Sequence, residues 1–177
     1  MRNLILILTL LPLLMNAQNE ITKIDSKLDE TVSITGNLNE GKIMNDLSWA
    51  WNSANACFPE TKKKKFTGIH VLYETTIPQN SEMEVRVVPK DTHANFSIYA
   101  YQTGLNNTDV VPNLPNCIRC EVDYKWDHKW KGQTQDHTRT AKNLVSINKS
   151  FRVIIGVVGT EGLTEADYTL EIKTTSR

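Results

Sequence analysis

Three groups of residues have the types and spacing to do chemistry. The first is the polar stretch KWDHKWKGQTQDH, which sets Trp126, His128 and Trp130 among charges and runs into Asp136, His137, Thr138 and Arg139. Tryptophans held on an exposed loop can stack on sugar rings or on aliphatic protein surface. Folded back, the same two rings would cap the open end of a sheet structure. The second group is the run Lys62, Lys63, Lys64 and Lys65, either a patch for an anionic partner or a solvated loop. The third is the set of cysteines, Cys57, Cys117 and Cys120.

Each alternative chemistry lacks a part. Cys117 and Cys120 with His128 and His137 make a formal Cys₂His₂ set, but outside the cytosol the thiolates that zinc needs are consumed by disulfide formation. The three cysteines are therefore disulfide candidates. One pair can bridge, either Cys117 with Cys120 or Cys57 with one of them, which leaves one thiol over. Asp123, Asp127 and Asp136 lie near the same polar loop without the spacing of a calcium loop. There is no Gly-x-Ser-x-Gly elbow, and Asp136-His137 has no nucleophile assigned to it by sequence. Catalytic residues and metal ligands are accordingly expected to be none, no cofactor is expected, and binding is the best-supported class. The residues to test first are Trp126, His128, Trp130 and Lys62 to Lys65.

Composition narrows the partner. Lys plus Arg and Asp plus Glu each number 20 in 177 residues. A chain without net charge has no general electrostatic footprint for nucleic acid or for an anionic membrane. At the start, Arg2 precedes an apolar run from Leu4 to Leu14, and Met15-Asn16-Ala17 ends in a small residue. This is the pattern of a secretory signal peptide over 1–17. The run is too short to span a bilayer comfortably, and no membrane span is expected after cleavage. The expected location is secreted, periplasmic or extracellular, and the expected partner is an extracellular protein or polysaccharide.

The elements that must position these residues read as strands. Val32, Ile34, Gly36 and Leu38 alternate, as do Leu47, Trp49 and Trp51, whose tryptophans read as core. Ile69 to Ile77 and Met83 to Val87 alternate on either side of Pro78-Gln79-Asn80-Ser81 and suggest a hairpin. Phe96 to Ala100, Ile118 to Tyr124 and Asn143 to Ile147 follow. Phe151 to Lys173 holds two alternating runs around a Gly-containing loop and suggests a closing hairpin, with Phe151, Val153, Ile155, Tyr168 and Leu170 in the core. Residues 18–31 read as a linker or short helix, and the polar loop after Tyr124 as extending to Lys142. The fold expected is all-β, a jelly-roll-like antiparallel β-sandwich of about eight to nine strands, as a single domain over 32–177.

Four segments carry a family resemblance: SITGNLNEG, HVLYETTIPQNSEMEVRVVP, ANFSIYAYQTG and FRVIIGVVGTEGLTEADYTLEI. Together the region from about Val32 to Lys173 resembles the bacterial pre-peptidase C-terminal domain. The resemblance implies a jelly-roll-like sandwich of secreted bacterial proteins that accompanies a hydrolase and assists secretion, maturation or binding to matrix and polymers. It also implies calcium near the N-terminal segment in some relatives. Against that pattern the domain is expected to stand alone, without an upstream catalytic domain, and Asp25 to Glu30 lacks the Glu-Pro-Asn-Asp-type signature. The reading is a secreted, non-catalytic binding module. Its alternatives are a small secreted hydrolase on the same scaffold and a structural or adhesion subunit of a surface assembly.

Overall fold

The computed structural model describes residues 21–44, 64–111, 113–114, 119–121, 136–160 and 162–177. They form ten strands: β1 (Ile21–Lys23), β2 (Glu30–Asn37), β3 (Lys42–Met44), β4 (Gly68–Ile77), β5 (Ser81–Pro89), β6 (Phe96–Thr103), β7 (Arg119–Glu121), β8 (Arg139–Ser146), β9 (Phe151–Gly159) and β10 (Asp167–Ser176). One turn of 3₁₀ helix, Leu38–Glu40, joins β2 to β3. The first sheet runs β1-β4-β9-β6-β7, with β3 also on β4, and the second runs β2-β10-β5-β8. Among the described residues no helix is long and apolar enough to cross a membrane.

The alternation read from sequence is the packing. Val71, Tyr73 and Ile77 from β4, Ile98 and Ala100 from β6, and Val153, Ile155 and Val157 from β9 face Met83, Val85, Val87, Leu144, Tyr168, Leu170 and Ile172 of the second sheet. Of the five residues expected in the core, Val153, Ile155, Tyr168 and Leu170 are buried there, and Phe151 packs half-buried at its margin. Tyr73 and Tyr168 meet hydroxyl to hydroxyl across the two layers at 2.7 Å. Burial raises the ionisation of both phenols, so each stays protonated and able to donate. Gly36 lies against this pair. A Cβ there would sit 2.7 Å from the Tyr168 ring and meet the Tyr73 hydroxyl.

The first sheet is buried on its outer face too. Leu72, Tyr99, Tyr101, Ile154 and Val158 pack there under Phe66, Val111 and Leu114. Tyr99 lies over Gly156, where any Cβ would collide with its ring. His70 joins this layer, its Nε2 donating to the Phe66 carbonyl at 2.7 Å and its Nδ1 accepting from the Tyr99 hydroxyl at 3.0 Å. Arg152 bonds Glu74 at 2.7 Å and donates to the carbonyls of Asn107 and Asp109, fastening loop 104–111 over the sheet.

Four sequence expectations are corrected. The two strands on either side of Pro78 are no hairpin: β4 pairs with β9 and β5 with β10 and β8. The turn between them crosses from one layer to the other, and its Asn80, at φ 54°, bonds Ile147 and Arg177 instead of closing a ladder. Phe151–Lys173 is no closing hairpin either, since β9 is an inner strand of the first sheet and β10 of the second. Alternation records which face is buried and carries no information about the pairing partner. Within 18–31, expected as linker or short helix, Ile21–Lys23 is a strand parallel to β4. The polar loop ends at Thr138, because Arg139 and Ala141 turn inward as the first residues of β8. The strand expected over Leu47 to Trp51 lies outside the described residues, as do 1–17.

Candidate functional site

The loops after β5 and β9 and the approach to β8 meet at one end of the sandwich, and Asn95 ties them together. Its Oδ1 accepts from Arg139 Nη2 at 2.7 Å, and its carbonyl accepts from the Thr160 amide at 3.2 Å and hydroxyl at 3.0 Å. Arg139 is only 2% exposed. It also donates to the Thr138 carbonyl and toward His137 Nδ1 at 3.3 Å. Asp136 caps the same turn. Its carboxylate accepts from the Thr138 amide at 3.1 Å, and this bond, with the nearby Arg139 charge, holds its ionisation below the usual carboxylate range. Asp136, His137, Thr138 and Arg139 thus knot a loop onto Asn95.

Beside this knot lies a cleft of about 410 Å³ lined by Lys90, Asp91, His93, Ala94, Leu163, Glu165, Ala166 and Asp167. Asp91 shapes one wall, its Oδ1 accepting from the His93 amide at 2.9 Å and its carbonyl from the Ala94 amide at 3.0 Å. Asp167 shapes the other. It accepts from Asn37 Nδ2 at 2.8 Å and lies 3.8 Å from Lys90 Nζ, while its backbone carbonyl accepts from the Lys90 amide. His93 and Glu165 are exposed on the rim, and Ala94, Leu163 and Ala166 form an apolar floor. One lysine faces three carboxylates, so with His93 neutral the cleft carries an excess of two negative charges.

Of the residues singled out from sequence, Trp126, His128, Trp130, Lys62 and Lys63 lie outside the described residues, as do Cys57 and Cys117. Cys120 stands in β7 opposite Tyr99 of β6. Lys64 is exposed and Lys65 half-buried in the turn before β4. The Lys65 carbonyl accepts from the Ser97 hydroxyl at 2.6 Å, two residues past Asn95. Lys64 and Lys65 therefore stand at the same end of the sandwich as the cleft. Among the described residues no three His, Cys, Asp or Glu side chains gather where they could share a metal ion. Sequence reading missed the cleft itself. Its residues come from two turns about 70 positions apart, and their one local signal was the acidic, Gly-containing loop before β10.

No family model matches the chain, and no curated protein matches it. Among solved structures it is similar to the pre-peptidase C-terminal domain of a collagenase from Bacillus anthracis, with a TM-score of 0.43 and 13% identity over 90% of this chain and 98% of that one. It is also similar to a periplasmic inhibitor of g-type lysozyme from Aeromonas hydrophila, with a TM-score of 0.40 and 8% identity over 88% and 97%. The first is of the family that the quoted segments resemble. Both likenesses are remote, and neither carries a function to this chain.

Proposed function

We propose that the protein is an exported, non-catalytic binding module whose loop end seats a basic side chain of an extracellular protein partner. The observation that carries this reading is the cleft itself, with carboxylates on its rim and Ala94, Leu163 and Ala166 beneath. A lysine or arginine lays its alkyl stem along apolar surface and keeps its charge at a polar rim. Asp91 and Asp167 are committed to shaping the walls, which leaves Glu165 and His93 to meet the partner. The apolar run behind Arg2 supports export after removal of 1–17, and the neutral net charge supports a protein or polymer over nucleic acid.

Amide chemical-shift titration with a lysine-rich and a glutamate-rich peptide of equal length tests this. The basic peptide should move the signals of His93, Leu163 and Glu165 and the acidic one should not. Glu165→Gln should weaken the basic peptide about five- to tenfold, in line with the loss of a charge-assisted contact, without lowering Tm. Equal response to both peptides, or shifts confined to other faces, would overturn the reading.

A further inference from the structure

The four edges of the two sheets are treated unequally. β8 ends the second sheet on one side, and its carbonyls there are capped by side chains of the first sheet, Arg119 Nε on Lys142 at 3.1 Å and Gln102 Nε2 on Val145 at 2.8 Å. In the first sheet the edge strands β1, β3 and β7 have three residues each. β2 ends the second sheet on its other side with eight residues, ETVSITGN, and among the described residues no strand pairs beyond it. Proteins ordinarily blunt such an edge with lysine, proline, a bulge or a cover. β2 has no proline or lysine, and its one charge, Glu30, stands at its first position.

The free groups can be assigned. Leu38 donates to the Ala166 carbonyl at 3.1 Å, and Asn37 stands opposite Asp167. Lateral direction alternates in an antiparallel ladder. Val32, Ile34 and Gly36 therefore turn their N–H and C=O groups to β10, while Thr31, Ser33 and Thr35 turn theirs outward. Burial agrees: Thr31, Ser33 and Thr35 are exposed, Gly36 is buried, and Val32 and Ile34 pack against the core. Exposed aliphatic side chains stand beyond both ends, Leu28 at 46% before the strand and Ile43 at 69% after it.

We propose that β2 is a homodimer edge, on which a second copy of this chain pairs its own β2 antiparallel about a two-fold axis. Antiparallel pairing is the isologous solution for one strand against itself. It sets Thr31, Ser33 and Thr35 of the two copies against one another with no like charges opposed, and hydroxyl side chains make favourable cross-strand pairs. It also brings the Leu28 end of each copy to the Ile43 end of the other. A strand of this length is about 27 Å long and a two-layer side about 20 Å deep, so the contact buries roughly 1,100 Å² in total. That is at the lower limit of specific interfaces, so the dimer is reversible and concentration-dependent.

Sedimentation equilibrium of the mature chain over a roughly 500-fold range reaching sub-millimolar concentration covers this weak class. The expected result is a monomer–dimer equilibrium, in which amide hydrogen exchange at Thr31, Ser33 and Thr35 slows with concentration while exchange at Val32 and Ile34 does not. Ser33→Pro, which removes an outward N–H, and the double variant Ser33→Lys with Thr35→Lys should each weaken dimerisation at least tenfold with Tm nearly unchanged. Glu165→Gln should leave it intact, which separates this edge from the cleft. A wild-type monomer throughout the range overturns the proposal, even if an extended peptide of another protein protects the same amides. A dimer that survives in the folded lysine variant, or that is lost in Glu165→Gln, overturns it equally.

Discussion

His70 shows how the environment sets the chemistry of a residue. It is enclosed between Phe66 and Tyr99. Burial pushes its ionisation from 6.5 down to about 4, partly opposed by the hydrogen bond to the Phe66 carbonyl. The ring is therefore neutral at pH 7 and serves packing and hydrogen bonding. Below pH 6.5 the unfolded chain takes up a proton at this histidine before the folded chain does. Stability is thus fully present above pH 6.5 and is lost as pH falls toward 4, by about 3 kcal/mol in all. Denaturant titration across that window should show the slope, and His70→Gln should flatten it. An unchanged slope in the variant would place the titration elsewhere.

Residues also show where sequence reading ends. The inward alternation of Val153, Ile155, Tyr168 and Leu170 was legible because apolar side chains at period two have one stable placement on a sheet. Arg139 was not legible. A guanidinium at a strand start reads as solvated, and Asn95, 44 positions away, supplies an acceptor that helps it to be buried. The cleft failed to show for the same reason. Asp91 and Asp167 look like ordinary turn aspartates until the fold sets them on facing walls.

Among elements, β9 is the middle strand of the first sheet. It pairs with β4 on one side and β6 on the other, and its Arg152 holds the loop that covers the outer face of the sheet. Arg152→Met would leave Glu74, whose side chain is 19% exposed, with Lys23 at 3.8 Å as its remaining ion-pair partner. It would also remove the donor to two loop carbonyls. We expect a loss of about 3 kcal/mol, near the lower bound for breaking a buried pair, and faster limited proteolysis within 104–111. Equal protease resistance in the variant would show that Phe66, Val111 and Leu114 hold the loop unaided. At this scale the long alternating strands were legible, the three-residue β1 and β3 and the start of β8 were not, and neither were the pairing partners. The strands around Pro78 and those around Gly162 look like hairpins because adjacency in sequence is the default for antiparallel pairing, whereas here each turn carries the chain between layers.

At the scale of the molecule, one end of the sandwich gathers the cleft, Lys64 and Lys65, and the Asp136 knot. Trp126, His128 and Trp130 precede that knot in sequence and lie outside the described residues, and binding of a polymer by them would add to the cleft. If the two tryptophans bind it, Trp126→Ala combined with Trp130→Ala should abolish retention on the cognate matrix polymer with Tm nearly unchanged. A fall in Tm of more than about 8 °C, the shift expected from several kcal/mol in a domain of this size, would assign them to packing instead.

The placement of β9 and β10 bears on how the chain is made. Each is an inner strand of its own sheet, and both come after every other strand in the order of synthesis. Until they emerge, β4 has no partner in β9 and β5 none in β10, so the earlier strands hold no assembled layer between them. Contacts this distant in sequence also close slowly. Earlier strands can pair only in fragments, β5 with β8, β6 with β7, and β1 and β3 with β4, so neither layer closes until late in translation, and both assemble together once the last strands arrive.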